Sequence, residues 1–443
     1  MTFSFPPKFT WGMATSAYQI EGACHEDGRG PSIWDRFSHQ RGRTRGGATG
    51  DCACDHYHRF REDVALMAGL GIQAYRFSIA WTRILPTGSG DLNPHGLDFY
   101  DRLVDELLEW GITPYATLFH YDLPQRLQDQ GGWPNRNTAL RFGEYAQVIG
   151  KRFGDRVDHW ITHNEPTITA TLGYLTGEHA PGQRNPPAAF RALHHILLSH
   201  GLAVQALRTA VQGPARIGIA INLTPIYPAT PSAQDCRSAD LAHMYYGRMV
   251  LDPLLKGCYP AELTPAWIWR RLIERVAREG DLETISTPLD FVGVNYYTRA
   301  VFRHAPLIGL RPASPRKAER TQMGWEIYSP GLYDLLARLH ADYSHSNLIV
   351  TENGAAFPDE VSADGQVHDP RRICYLADHV DQVRRAIADG IPVSGYFVWT
   401  LLDNFEWALG YTRRFGLVYV DHDTQQRIPK DSYYWYKKVV SGQ

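Results

Sequence analysis

Eight short runs rich in β-branched and aromatic residues recur along the chain, separated by longer amphipathic stretches, and this alternation limits the possible folds more than any other feature. The strand candidates are Phe9–Ala17, Ala74–Trp81, Pro114–His120, Val157–Asn164, Arg216–Leu223, Phe291–Tyr297, Leu348–Glu352 and Val393–Thr400. Runs such as Arg216-Ile217-Gly218-Ile219-Ala220-Ile221 are apolar almost throughout, as expected of strands covered on both faces of a parallel sheet. Helical spacing fills the intervals at His56–Ala68, Leu97–Trp110, Thr138–Phe153, Ala189–Val211, Ala239–Leu255, Gly331–Tyr343 and Arg371–Ala388. A last stretch lies near Tyr433–Val439, and one extra helix is expected over Thr264–Arg278. Leu97, Leu103, Val104, Leu107 and Leu108 show the near-3.6 repeat. The pattern predicts a (β/α)8 TIM barrel, with active residues at the C-terminal strand ends; an open doubly wound sheet is the alternative. The missing Gly-x-Gly-x-x-Gly after the first strand weakens a dinucleotide-binding role. With 443 residues and no internal repeat or long linker, residues 1–443 read as a single barrel domain with long loops.

Composition narrows the partners. Lys+Arg 45 against Asp+Glu 47 leaves almost no net charge, which argues against nucleic acid or an anionic membrane surface. The 12 Trp and 24 Tyr fit either a large aromatic core or a site that binds the apolar faces of sugars. Cys24, Cys52, Cys54, Cys236, Cys258 and Cys374 form neither a disulfide framework nor a zinc pattern, so free thiols are expected, and no metal. The opening residues lack a signal-peptide pattern and no apolar run reaches the roughly 18 residues of a membrane span, so a cytoplasmic location is expected. His56, His58, His194 and His195 read as helix-face histidines without ligand geometry. Two basic loops, Gln40–Gly50 and His304–Arg320, read as solvated segments, with a place at the rim of a barrel site as the alternative.

Two carboxylates stand out. Glu165 closes the fourth run in Ile161-Thr162-His163-Asn164-Glu165-Pro166, and Glu352 closes the seventh in Ile349-Val350-Thr351-Glu352-Asn353-Gly354. One Glu at a strand end is ordinarily a solvated boundary residue. Two, each beside an Asn and each ending a buried strand of one barrel, would face a common cavity. Hydrolysis of an acetal needs such a pair, one carboxyl to protonate the leaving oxygen and one to support or attack the sugar carbon. Environment must then separate their protonation states. Arg76, inside the buried run Ala74-Tyr75-Arg76-Phe77-Ser78, is either a structural ion-pair partner or the cation that holds Glu352 ionised.

The segments around these residues resemble the two catalytic signatures of glycoside hydrolase family 1. The resemblance runs from end to end: Phe9-x-Trp11-Gly12-x-Ala14-Thr15-Ser16-Ala17-Tyr18-Gln19-Ile20-Glu21-Gly22 is similar to the family's N-terminal signature. Asp403-Asn404-Phe405-Glu406-Trp407 and Arg414-Phe415-Gly416-Leu417 are similar to its last loop. The resemblance implies a (β/α)8 barrel, no cofactor, a retaining mechanism, Glu165 as acid/base and Glu352 as nucleophile. It further implies that Gln19, His120, Asn164, Asn295, Glu406 and Trp407 hold the sugar and that Trp399 forms its stacking floor. Tyr297 matches the position that bonds the nucleophile, and Trp325 resembles a platform for the leaving group.

The chain also departs from the family pattern. His120-Tyr121-Asp122 stands where members usually carry His-Trp-Asp, so packing beside the sugar is expected to differ. Thr167 takes the place of a bulkier or apolar residue, which would widen the leaving-group side. Neither is expected to touch the chemistry. Phospho-glycosidases of the family replace the equivalent of Glu406 with a small hydroxyl residue, so a carboxylate there suits a free sugar. The implied substrate is a small β-glucoside or cello-oligosaccharide, as in cellulose degradation, with side activity on β-galactosides and β-fucosides. A transglycosylase working through the same covalent intermediate is the alternative, and a silent sugar-binding protein is expected to have lost Glu165 or Glu352.

Overall fold

The computed structural model describes residues 5–263, 273–306, 309–315, 317–344 and 347–442. Eight strands form at Thr10–Ala14, Ala74–Ser78, Thr113–Phe119, His159–Asn164, Arg216–Asn222, Phe291–Asn295, Leu348–Asn353 and Val393–Trp399. Each pairs in parallel with the next, and the eighth closes on the first, so the sheet is a (β/α)8 barrel and not an open doubly wound sheet. Tyr115, Phe291 and Phe397 fill the barrel interior together with Ala14, Ala74, Ile161, Ala220 and Ile349. Rings this large need small neighbours. A Cβ on Gly12 would lie 2.4 Å from the Phe397 ring, and one on Gly218 would lie 2.5 Å from the Phe291 ring.

Helices follow the strands and bury one face against them. In Pro94–Glu109 that face carries Phe99, Tyr100, Leu103, Val104 and Leu107. Several helices begin two or three residues before their apolar repeat does. Asn93, Asn135 and Asn185 accept hydrogen bonds from first-turn amides, and proline opens the helices Pro94–Glu109, Pro186–Ala210, Pro330–Tyr343 and Pro370–Ala388. The stretch expected as one helix over Ala239–Leu255 is Ala233–His243, a π-helical segment Met244–Arg248 and Met249–Lys256. The extra helix expected over Thr264–Arg278 lies mostly outside the described residues. Two small sheets sit outside the barrel, Ile226–Pro228 with Ala300–Arg303 and Arg311–Ala313, and Val418–Val420 with Arg427–Pro429. The basic His304–Arg320 segment therefore contributes an edge strand.

The strand ladders slip beside both carboxylates, and the seventh strand also slips at its start, between Leu348 and Ile349. Register slips between Ile161 and Asn164 on the fourth strand and between Val350 and Glu352 on the seventh. Such slips re-aim side chains at the end of a strand. Among the described residues no helix is long and apolar enough to cross a membrane.

Candidate active site

The C-terminal strand ends and the loops beyond them enclose a cavity of about 590 Å³. Glu165 and Glu352 both line it, with His120, Asn164, Tyr297, Trp325, Trp399, Glu406 and Trp407. The local backbone turns several of these side chains inward. Glu165 has φ 48°, Tyr121 φ 73° and Trp407 φ 48°, all in the left-handed region that residues with a Cβ rarely adopt. Strain of this kind collects at functional sites because the surrounding structure has to hold it in place.

Hydrogen bonds fix both carboxylates from behind. Arg76 donates to Glu352 Oε1 at 2.7 Å, and the Tyr297 phenol donates to Glu352 Oε2 at 2.5 Å. Asn295 Nδ2 donates to Glu165 Oε1 at 2.7 Å and to Asn164 Oδ1 at 3.0 Å. Arg76 reaches the same Asn164 oxygen at 2.6 Å, so a continuous hydrogen-bond path joins the two carboxylates through Asn295, Asn164 and Arg76. The Tyr121 phenol donates to Glu165 Oε2.

Burial is the largest influence on Glu352 and pushes its carboxyl up to about 7; Arg76 acts against that shift and the Glu165 charge adds to it. Arg76 holds the carboxyl below where burial alone would put it, by its charge and by its hydrogen bond. Burial, reinforced by the charges of Glu352 and Glu165, pushes Glu406 up to about 8, and its Oε2 has no protein partner among the described residues. His120 is driven well below its ordinary value by burial and by Arg76, so its ring is neutral. Its Nε2 lies 3.1 Å from Asn164 Nδ2; the amide must be the donor, which puts the imidazole proton on Nδ1.

Aromatic rings form the walls. Trp399 lies against His120 with ring centroids 5.7 Å apart and planes 23° apart, and Trp407 stacks on Tyr18. Trp325 leans on Tyr297 with centroids 5.3 Å apart.

Three expected site residues stand behind the wall and not in it. Arg76 is fully buried against Glu352. Asn295 was expected to touch the sugar, but its amide nitrogen is bonded to Glu165 and Asn164 and its oxygen accepts from Thr351 at 2.7 Å. Gln19 accepts from Ser16 at 2.6 Å and donates to Asn404 and to the Phe405 carbonyl, which ties it to the last loop. Sequence reasoning passed over Asn222, which ends the fifth strand and donates to Glu165 Oε1 at 3.4 Å; an Asn closing a strand, as at Asn164, was the available signal. It also passed over Phe415, Met323 and His179 as lining residues. Phe415 belongs to a segment whose resemblance was noted without a role. Toward solvent the mouth includes Gly42 and Arg43 of the first basic loop, with Glu178 and Arg184, and no described residue of His304–Arg320. The one group of described residues spaced for a cation is Cys24, Asp35 and Asp51; none lines the cavity, and Arg29 already pairs with Asp35 at 3.0 Å.

The profile described as Glycosyl hydrolase family 1 matches residues 1–443. Beta-glucosidase A of Acetivibrio thermocellus is 51% identical over 443 residues, 99% of this chain and 98% of that protein. A bifunctional beta-D-glucosidase/beta-D-fucosidase of Bifidobacterium breve is 45% identical over 468 residues, 100% and 99% of the two chains. The solved structure of a family 1 β-glucosidase from Thermotoga maritima superposes with a TM-score of 0.96 at 46% identity, covering 100% of this chain and 98% of that one.

Proposed function

The chain belongs to glycosyl hydrolase family 1, and from that membership we propose a β-glucosidase that works by double displacement, with Glu165 as acid/base and Glu352 as nucleophile. The observation that carries the division of roles is the difference between their surroundings. Glu352 is gripped by a permanent cation and a phenol, which favour the carboxylate needed for attack. Glu165 meets only neutral donors, Asn295, Asn222 and Tyr121, a setting compatible with gaining and losing a proton in each cycle.

In the first half Glu165 gives its proton to the glycosidic oxygen while Glu352 attacks the anomeric carbon, and the aglycone leaves. In the second, Glu165 takes a proton from water as the water oxygen displaces Glu352. Tyr297 and Arg76 release part of their hold on Glu352 as its charge passes into the ester bond. Inversion at each step returns the β configuration, and family members of this kind place the carboxyls ~5–5.5 Å apart. An NMR time course on a β-glucoside is expected to show β-glucose first, before mutarotation. α-Glucose as the initial product would refute the double displacement.

The sugar-binding roles are part of the same proposal. Trp399 offers its face to the ring, and the neutral His120 offers a donor. Glu406 offers an oxygen without a protein partner to hydroxyl donors, and Gln19 steadies the loop that carries it. Glu406→Ser is expected to lower kcat/KM on glucosides roughly tenfold to a hundredfold, because it leaves buried sugar hydroxyls without their acceptor at a cost of ~1–3 kcal/mol. An unchanged kcat/KM beside an unchanged melting curve would remove Glu406 from the sugar site. A fucoside has no 6-hydroxyl, and the kinship with the Bifidobacterium enzyme supports side activity on fucosides. Kinship with proteins named β-glucosidase and glucan glucohydrolase supports transfer to water as the main reaction here. We further propose one domain over the whole chain and a cytoplasmic location, the latter supported by six unpaired cysteines.

A further inference from the structure

We propose that Tyr121 is a positioning residue for Glu165, whose phenol holds that carboxyl aimed at the proton it gives in the first half of the reaction and takes in the second. The inference rests on the assignment of Glu165 as acid/base.

Tyr121 follows the third barrel strand with φ 73°, a backbone conformation that costs a residue with a Cβ, and that turn carries its side chain into the cavity. The ring is boxed in. Trp407 meets it edge-on with centroids 5.0 Å apart, His120 does so at 5.0 Å, and His179 closes a third side at 6.2 Å. The phenol therefore has one orientation available. Its oxygen accepts from Asn164 Nδ2 at 3.3 Å and its one proton goes to Glu165 Oε2.

Two features make this donor useful. Burial, with Glu165 and Glu352 beside it, pushes the phenol well above its ordinary value, so it keeps its proton throughout the working range. A donor that keeps its proton stabilises a carboxylate more than a carboxylic acid. Tyr121 thus holds one oxygen of Glu165 in place, while the amides of Asn295 and Asn222 hold the other. No proton leaves Tyr121 in the cycle. The charged or titratable groups around this pair are Arg76 from the second strand, Tyr297 after the sixth, Glu352 on the seventh, Glu406 in the last loop, and His120 and His179.

The test is Tyr121→Phe, which keeps the ring and removes the donor. The expected result is an alkaline limb of the kcat/KM profile moved to higher pH, because the carboxylate then lacks the phenol's hydrogen bond. Turnover of a dinitrophenyl glucoside, limited by the second half of the reaction, should fall roughly threefold to thirtyfold, because a carboxyl no longer held by the phenol is aimed less well at the attacking water. The loss should disappear when Tyr121→Phe is added to Glu165→Ala and turnover is rescued with azide. An unmoved limb, or the same loss in both backgrounds, would show a packing role and overturn the proposal. Failure of azide to rescue Glu165→Ala at all would overturn the assignment of Glu165 and the proposal with it.

Discussion

Glu352→Ala should abolish hydrolysis of every glucoside, including a dinitrophenyl glucoside whose leaving group needs no acid. The reason is local. The carboxylate is the one group that Arg76 and Tyr297 jointly orient, at 2.7 and 2.5 Å, and removing it takes away the atom that bonds to the anomeric carbon. A loss on the order of 10⁵-fold or more corresponds to ~7 kcal/mol of barrier. The hole left behind would admit a small anion beside the Arg76 charge. Azide is therefore expected to attack from the face Glu352 occupied, with Glu165 assisting departure of the aglycone, and to yield α-glucosyl azide. Product configuration by NMR checks this, and β-azide from this variant would reverse the assignment.

Glu165→Ala should behave in the opposite way. Substrates with poor leaving groups lose the most, on the order of 10²–10⁴-fold, because protonation of the glycosidic oxygen is gone. A dinitrophenyl glucoside should still load Glu352, after which the ester accumulates because no base activates water. A burst of dinitrophenol followed by slow turnover is the expected trace. Azide needs no base, so it should restore turnover and give β-glucosyl azide. Steady turnover without a burst, or no response to azide, would contradict the role of Glu165.

Much of this frame could be read from residue order. The eight barrel strands were legible because strands covered on both faces are apolar along their length, and the crossovers between them carry a clear helical repeat. Strand ends were read too long where apolar residues continue past the ladder: Phe9–Ala17 is a strand only over Thr10–Ala14, and Ala17–Ile20 is already a helical turn. Helix starts were read late because their first turns are made of Asn and Pro, which carry no apolar repeat. The helix whose repeat starts at Leu97 begins at Pro94, and the one whose repeat starts at Ala189 begins at Pro186. In the site, Glu165 and Glu352 were visible as carboxylates at strand ends. Asn295 was misplaced because strand position alone does not say which neighbour takes its amide. Tyr121 was seen as an oddity of packing, whereas its contact with Glu165 depends on a single backbone angle that no composition or spacing reports.

The slipped ladders at the ends of the fourth and seventh strands matter for how such a scaffold diversifies. Deeper in the barrel, ring-against-glycine packing such as Phe397 on Gly12 leaves no room for a larger side chain. At the slips, regular pairing between neighbouring strands has already been given up, so a changed side chain there disrupts less of the closed sheet. The molecule is in effect a fixed chassis with an exchangeable socket. Changes in the loops above the strand ends can reshape the cavity while the paired rows beneath stay as they are.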